Sequence, residues 1–480
     1  MLSKKYKIRK MNKTKRPNKA NKKKKIIYSE YLCIGAGISN AYSCYQLKHK
    51  NIYTGKILVL EKSDHYGGRI KSEYTNTIIQ HKPEVGYDEL GAMRLFDIPQ
   101  MKKVFDLLKL FKLETIQVSL EDSSNIFYYN GKKNLKKDAL MSNGRKVSEF
   151  EKYVTENIQK AYPGINFDDI FRYKEFRHMN IKQLLQKYGH ANPADVEMWI
   201  AYSGYNYNLP NTQITTWLFE KNFYNTVQKE KQYYVLDGMI SLVKKLFQHS
   251  NADIVYNTKA ISLEKDGKGF TLVNTMNANK EYIQYKCKYL FVGVTSSQFQ
   301  GLNTYKRIPI SPQRLRLANE SVSIPLFKVF LKWDKDKIWW GKDKFKTGKS
   351  TTDLLIRQVH YYNDEDILVY NTGVYATELY YKFLDNPDLA AYEVFEQIKR
   401  VHHMDLPEPN FAYTTFQYWP DGASKWLIGA DVNRNVQVIP NGTIDKSNIF
   451  IVGDCFSKYQ GWIIGCLDSV DIALEPLIRP

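Results

Sequence analysis

Tyr31-Leu32-Cys33-Ile34-Gly35-Ala36-Gly37 is the stretch on which the fold turns. Four apolar residues run straight into a Gly-x-Gly turn, and Ile38 to Leu47 then suits a helix, so the segment reads as buried strand, glycine turn and helix start. A second apolar run, Ile57-Leu58-Val59-Leu60, stops at Glu61. In a strand, turn, helix, strand unit of this kind, backbone at the helix N-terminus approaches a pyrophosphate, and a carboxylate ending the second strand accepts hydrogen bonds from a ribose. Gly35, Gly37 and Glu61 are therefore cofactor-binding candidates. Asn40 stands where the usual fingerprint has its third glycine, which predicts a helix set slightly off its strand.

Outward from this unit, the 480 residues suffice for two or three domains. The net charge of +20 is uneven, because residues 1–25 hold thirteen Lys or Arg and no Asp or Glu. Such a segment reads as a solvated, disordered tail, and equally as a contact for nucleic acid, an anionic surface or a nuclear import receptor, carried by Lys22 to Lys25. No run approaches the roughly 18 to 20 apolar residues of a membrane-spanning helix, and the N-terminus lacks the apolar core of a signal peptide. Five cysteines without CxxC spacing suggest neither a disulfide framework nor a zinc site, and no metal is expected. A soluble intracellular protein is the expectation, with the nucleus or a particle as alternatives through the tail.

Past Arg94 the spacing of Met101, Val104, Phe105, Leu108 and Phe111 is helical. Mixed, mostly helical text continues to about residue 230. Short apolar runs return near Tyr233, including the strand-like stretch with Ala260, a further cofactor-binding candidate. A β-rich layer follows, with one helix beginning at Asn386-Pro387-Asp388. The expected organisation is a basic tail (1–26), a dinucleotide-binding domain in three parts (27–95, 231–310 and 441–480), a helical substrate-side insertion (96–230) and a substrate domain (311–440).

Four further motifs carry a family resemblance. Gly67-Gly68-Arg69 follows Glu61, and Glu89-Leu90-Gly91-Ala92-Met93-Arg94 comes next. Lys328 lies in Phe327-Lys328-Val329-Phe330 ahead of Trp339-Trp340, with Gly348-Lys349-Ser350-Thr351-Thr352-Asp353-Leu354 and Tyr361-Tyr362 beyond. Ile449-Phe450-Ile451-Val452-Gly453-Asp454 and Gly461-Trp462-Ile463 close the chain. Together these resemble the flavin-containing amine oxidase superfamily, nearest its L-amino-acid oxidase branch. The resemblance implies an α/β fold: a Rossmann-like FAD-binding domain built from discontinuous segments, plus a mixed β-sheet and helical substrate domain.

It also implies roles. Gly68 and Arg69 would lie against the FAD diphosphate; Gly91, Ala92, Met93 and Arg94 would line the flavin, with Arg94 holding a substrate carboxylate, for which a guanidinium is geometrically suited. Tyr361, preferred over Tyr362, would share that carboxylate. Lys328 would hold a water at the flavin, Asp454 would stand in for the family's glutamate, and Gly461, Trp462 and Ile463 would close the cofactor site, with Trp462 walling the substrate pocket. The stretch Tyr418-Trp419-Pro420-Asp421-Gly422 has no cysteine, so FAD is expected to be noncovalent. Arg94 as a structural ion-pair partner and Lys328 on a strand's solvent face are the competing readings of those two residues. No histidine is singled out, and His402-His403, ending a helical stretch, are expected at the surface.

The expected activity is FAD-dependent oxidation of an L-amino acid by oxygen to an imino acid and hydrogen peroxide. The alternatives are a monoamine or polyamine oxidase, in which Arg94 would have no carboxylate to hold, and a degenerate flavin fold with a structural or nucleic-acid-associated role.

Overall fold

The computed structural model describes residues 26–74, 87–119, 121–205, 211–226, 232–303, 308–341, 345–362 and 366–478. The basic segment 1–25 and the roles expected of it lie outside these residues. β1 (Tyr31–Ile34) is buried along its whole length, as a strand covered on both faces must be. It passes through Gly35, at φ 92°, into α1 (Ile38–His49), and β2 (Ile57–Leu60) returns parallel to it. The chain then makes a hairpin, β3 (Ile126–Tyr129) and β4 (Lys132–Leu135), and a helical stretch that ends with α2 (Thr215–Thr226).

β5 (Ala252–Val255) and β6 (Tyr289–Val292) rejoin the first sheet. The chain leaves it again for β7 (Ser321–Lys332), β8 (Lys349–Thr352), β9 (Gln358–Tyr361) and β10 (Asp366–Thr372), followed by α3 (Pro387–His402) and β11 (Thr415–Trp426). It returns a last time for β12 (Ile449–Ile451) and α4 (Ile463–Ile478). The first sheet has the order β5-β2-β1-β6-β12 with every pair parallel. The second has the order β11-β7-β10-β9-β8-β3-β4 and is antiparallel except where β3 meets β8. Buried Arg314 fastens the end of β12, donating to the carbonyls of Ile439 and Ile449 at 2.8 Å each while pairing with Asp445 at 2.9 Å.

One expectation needs refinement. Residues 96–230 are mostly helical, with a first helix at Lys102–Leu110, but they also carry short strands: Thr115–Val118 pairs with Gln232–Val235, and the β3–β4 hairpin extends the second sheet. These strands are four residues long, and the partners of Thr115–Val118 and of β3 in their sheets lie over a hundred residues away, so no local pattern places them there. The α3 start does follow its sequence signal, with the Asn386 side chain accepting from the Leu389 amide and Pro387 in the first turn. Among the described residues no helix is long and apolar enough to cross a membrane.

Asn40 is fully buried, and its amide donates to the carbonyls of Ile34 (2.8 Å) and Gly35 (2.7 Å). Room for it comes from the facing strand, where a Cβ on Gly293 would lie 2.7 Å from the Asn40 amide nitrogen. The glycine absent from the helix is thus matched by one opposite it. Gly293→Ala is expected to destabilise the protein by about 1–3 kcal/mol, the usual cost of overpacking. In an Asn40→Gly background the same change should cost less, which a double-mutant cycle of thermal or denaturant unfolding measures; equal costs would mean that the two residues are not coupled.

Candidate active site

At the C-terminal ends of the parallel strands the first motifs converge. α1 begins at Gly37 with no side chain capping it, leaving first-turn amides of the kind that cradle anions. Gly68 faces it so closely that a Cβ there would lie 3.4 Å from the Gly37 Cα. Glu61 is buried and accepts from the Ala36 amide at 2.7 Å and the Ser63 amide at 2.9 Å, so its carboxylate also shapes the glycine turn. The chain passes close by again where the Thr258 amide donates to the Glu61 carbonyl at 2.7 Å, two residues before Ala260.

Arg69 pairs with buried Asp454, which also accepts from the Gly461 amide at 2.9 Å. Asp454 therefore orders the loop that leads into Trp462 and into Ile463, the first residue of α4. Gly461 has φ 84°, and no atom lies within 4 Å of where its Cβ would be. The Trp462 ring packs on Phe96 at 5.5 Å, and its indole N–H points to Glu220 of α2 at 3.4 Å.

The second sheet presents its polar face to this cradle. Gln417, Lys328, Tyr370 and Gln358 are register partners in one rung across β11, β7, β10 and β9, so their side chains share a face. Lys328 is 1% exposed, and its ammonium donates to the carbonyls of Glu89 and Gly91 at 2.6 Å each and meets the Met93 sulfur at 3.3 Å. Four residues on, Lys332 pairs with buried Asp88 at 3.2 Å. Two lysines of β7 thus fasten the segment that carries Arg94. Burial pushes the Lys328 ammonium down and the Glu89 carboxyl up from their ordinary ranges.

Arg94 projects from that segment. Its guanidinium carbon lies 6.0 Å from the Tyr370 ring, and one of its nitrogens lies 3.4 Å from the Tyr205 hydroxyl. The Lys328 ammonium lies 5.7 Å from the same Tyr370 ring. Arg94 also lines a pocket with Lys349, His360 and Tyr234.

A family model described as flavin containing amine oxidoreductase matches residues 36–469. The chain belongs to that family. The family's cofactor is FAD, so the protein is an FAD-dependent amine oxidoreductase. Among its relatives is an uncharacterised protein of Acanthamoeba polyphaga mimivirus, 23% identical, with 92% of each chain covered. Others are L-amino-acid oxidases of the snakes Bothrops moojeni (24% identical, 91% of this chain and 86% of the relative) and Bothrops pictus (25%, 91% and 87%). The cradle fits the cofactor: uncapped helix amides, glycines open on one side, a cation at Arg69 and a buried carboxylate at Glu61 are the donor and acceptor set a dinucleotide requires.

Tyr361 borders the pocket that Arg94 lines, but its ring and hydroxyl are engaged elsewhere. Its rung partner is Ile367, so its ring lies on the opposite, apolar face of the second sheet, stacked at 5.0 Å on Phe345. Its hydroxyl meets Ser350 at 2.6 Å and His402 at 3.2 Å. Tyr370 is the tyrosine beside Arg94; His360 and Lys349 are further pocket residues, and Tyr205 touches both Arg94 and Lys349, none of which sequence reasoning singled out. Strand parity is the signal that would have helped, because Gln358 and His360 alternate with apolar Val359 and with Tyr361.

The surface position expected for His402 is also overturned. It is fully buried among Trp339, Phe345 and Tyr361, while His403 ends α3 in a left-handed conformation outside that core. Burial pushes the His402 imidazole down to about 3 from an ordinary 6.5. Because the folded value is the lower one, the unfolded chain binds the proton first, and this contribution to stability is complete above about pH 6.5 and lost as pH falls toward 3. His402→Gln should flatten that acid limb, by at most about 1.4 kcal/mol per pH unit. Urea midpoints between pH 7 and pH 4 check this; the same slope in both proteins would rule out His402 as the group responsible.

Proposed function

We propose that this enzyme oxidises the amine of an L-α-amino acid, giving an imino acid that hydrolyses to a 2-oxo acid and ammonia. The reading is carried by the convergence of Arg94 and Tyr370 over Lys328, on the face of the second sheet that looks toward the cofactor cradle. A guanidinium beside a phenol suits a carboxylate, a group that amino acids have and simple amines lack. The L-amino-acid oxidases among the relatives support the same substrate class.

In this reading Arg94 and Tyr370 hold the carboxylate, Trp462 walls the site, and Lys328 keeps the Glu89–Met93 segment in place while holding a water for the oxygen step. FAD, bound noncovalently, supplies hydride acceptance from the α-carbon and passage of the electrons to dioxygen, which leaves as hydrogen peroxide. The chain's own contribution is orientation and exclusion of water. The five-stranded parallel sheet is read as a Rossmann-like unit assembled from 27–95, 231–310 and 441–480, with Gly35, Gly37, Glu61, Gly68, Arg69 and Asp454 on the cofactor. Residues 96–230 and 311–440 then supply the substrate side.

Anaerobic titration of the holoenzyme with amino acids and amines, followed by loss of the flavin band, tests this. Amino acids should bleach it and monoamines should not. Arg94→Met is expected to lower kcat/KM by about 100-fold or more, as truncation of one partner of a desolvated charge pair does. Tyr370→Phe should cost about tenfold, whereas Tyr361→Phe should change stability and leave KM alone. An enzyme reduced only by amines, or indifferent to Arg94→Met, would overturn the proposal.

A further inference from the structure

The pocket beyond Arg94 is unusually cationic. Lys349 lines it, its ammonium donating to the Ser203 carbonyl at 3.2 Å and the Gln358 side chain at 3.1 Å, 4.1 Å from the centre of the Tyr205 ring. Arg94 reaches the hydroxyl of that same tyrosine, so one ring spans the two cations. Just behind, the Lys136 ammonium lies 3.4 Å from the Lys349 carbonyl and 5.3 Å from the Tyr202 ring. His360, on the pocket wall, is hydrogen-bonded to Gln358 at 2.9 Å.

Negative charge does not match this. Among the described residues, neither Lys349 nor Lys136 has a carboxylate at ion-pair distance: their near partners are carbonyl oxygens, an amide and aromatic faces. Two carboxylates act on both from farther away: Glu121, which is exposed, and Glu151, which is paired with Lys221. Burial and mutual repulsion accordingly hold Lys349, Lys136 and His360 below their ordinary proton affinities. A structural cation would be neutralised where it stands; cations gathered on a pocket wall without an internal partner are arranged for an anion that arrives from outside.

Arg94 alone accounts for the α-carboxylate, so Lys349 and Lys136 are left for a second anionic group, with His360 a neutral hydrogen-bonding part of the wall. We infer that the preferred substrate is a dicarboxylic amino acid, its α-carboxylate held by Arg94 and Tyr370 and its side-chain carboxylate by Lys349, with Lys136 and His360 behind. The inference rests on the amino-acid reading and specifies the substrate class within it.

Rapid-reaction reduction of the holoenzyme with matched pairs, glutamate against glutamine and aspartate against asparagine, tests it. The acids should exceed their amides at least about tenfold in the ratio of reduction rate to Kd, the discrimination expected of a charge-assisted contact. Lys349→Met, checked for its flavin spectrum, should erase that ratio, and Lys349→Arg should restore part of it. Amides and leucine reacting as well as the acids, or a ratio unmoved by Lys349→Met, would overturn the inference and leave the amino-acid reading standing. Failure of that reading looks different: no amino acid of any charge would bleach the flavin, and both would fall together.

Discussion

Two buried lysines on one strand hold the site together. Lys328 and Lys332 lie four residues apart on β7 and so point the same way, toward the segment Tyr87–Arg94. A buried ammonium is costly unless its donors are satisfied, and Lys328 meets the requirement with two main-chain carbonyls, an arrangement that tolerates little movement of the loop supplying them. Lys332 does the same through the Asp88 carboxylate, which Thr415 also reaches at 2.5 Å. Hydrogen bonds to charged groups contribute roughly 1.5–3 kcal/mol each. Arg94 therefore leaves a clamped backbone.

The clamp extends to the cofactor cradle. The Gly91 amide donates to the Lys71 carbonyl at 3.1 Å and the Ala92 amide to the Arg69 carbonyl at 3.0 Å, so the loop below Arg94 is paired with the loop carrying Arg69. Gly91 is obligatory in this pairing, because a Cβ would fall 2.2 Å from the Arg69 carbonyl oxygen. Trp419 adds a third tie from β11, its indole N–H donating to the Leu90 carbonyl at 2.7 Å. Displacement of any of these strands would be felt both at Arg69 and at Arg94.

What could be read from sequence was what neighbours in sequence determine. The glycine turn, the stop at Glu61 and the cap at Asn386 depend on a few consecutive residues, and each appears where its signal stands. Lys328 was visible as a charge within an apolar run, but its partners Glu89 and Gly91 are more than two hundred positions away. Tyr361 was chosen by its distance from a motif, although its parity with Val359 assigns it to the other face. Tyr370, Tyr205 and His360 depend on register and on a helical insertion folding back, neither of which a single sequence states. The burial of His402 had the same cause, since it follows from aromatic residues contributed by a distant loop.

The strand order of the parallel sheet also bears on how the molecule comes into being. β1 lies between β2 and β6, and β6 in turn lies between β1 and β12, so the sheet cannot close before residue 451 has left the ribosome. At about 5–20 residues per second, β1 waits on the order of 13 to 50 seconds for β6 to appear, and the sheet waits about 20 to 80 seconds for β12. During that interval a fully apolar strand and the edges of β2 and β6 lack their final cover, which is the condition under which nascent chains attract chaperones or one another. Arg314, which reaches across to Ile439 and Ile449, acts at the last stage of this sequence as the latch on the strand that closes it.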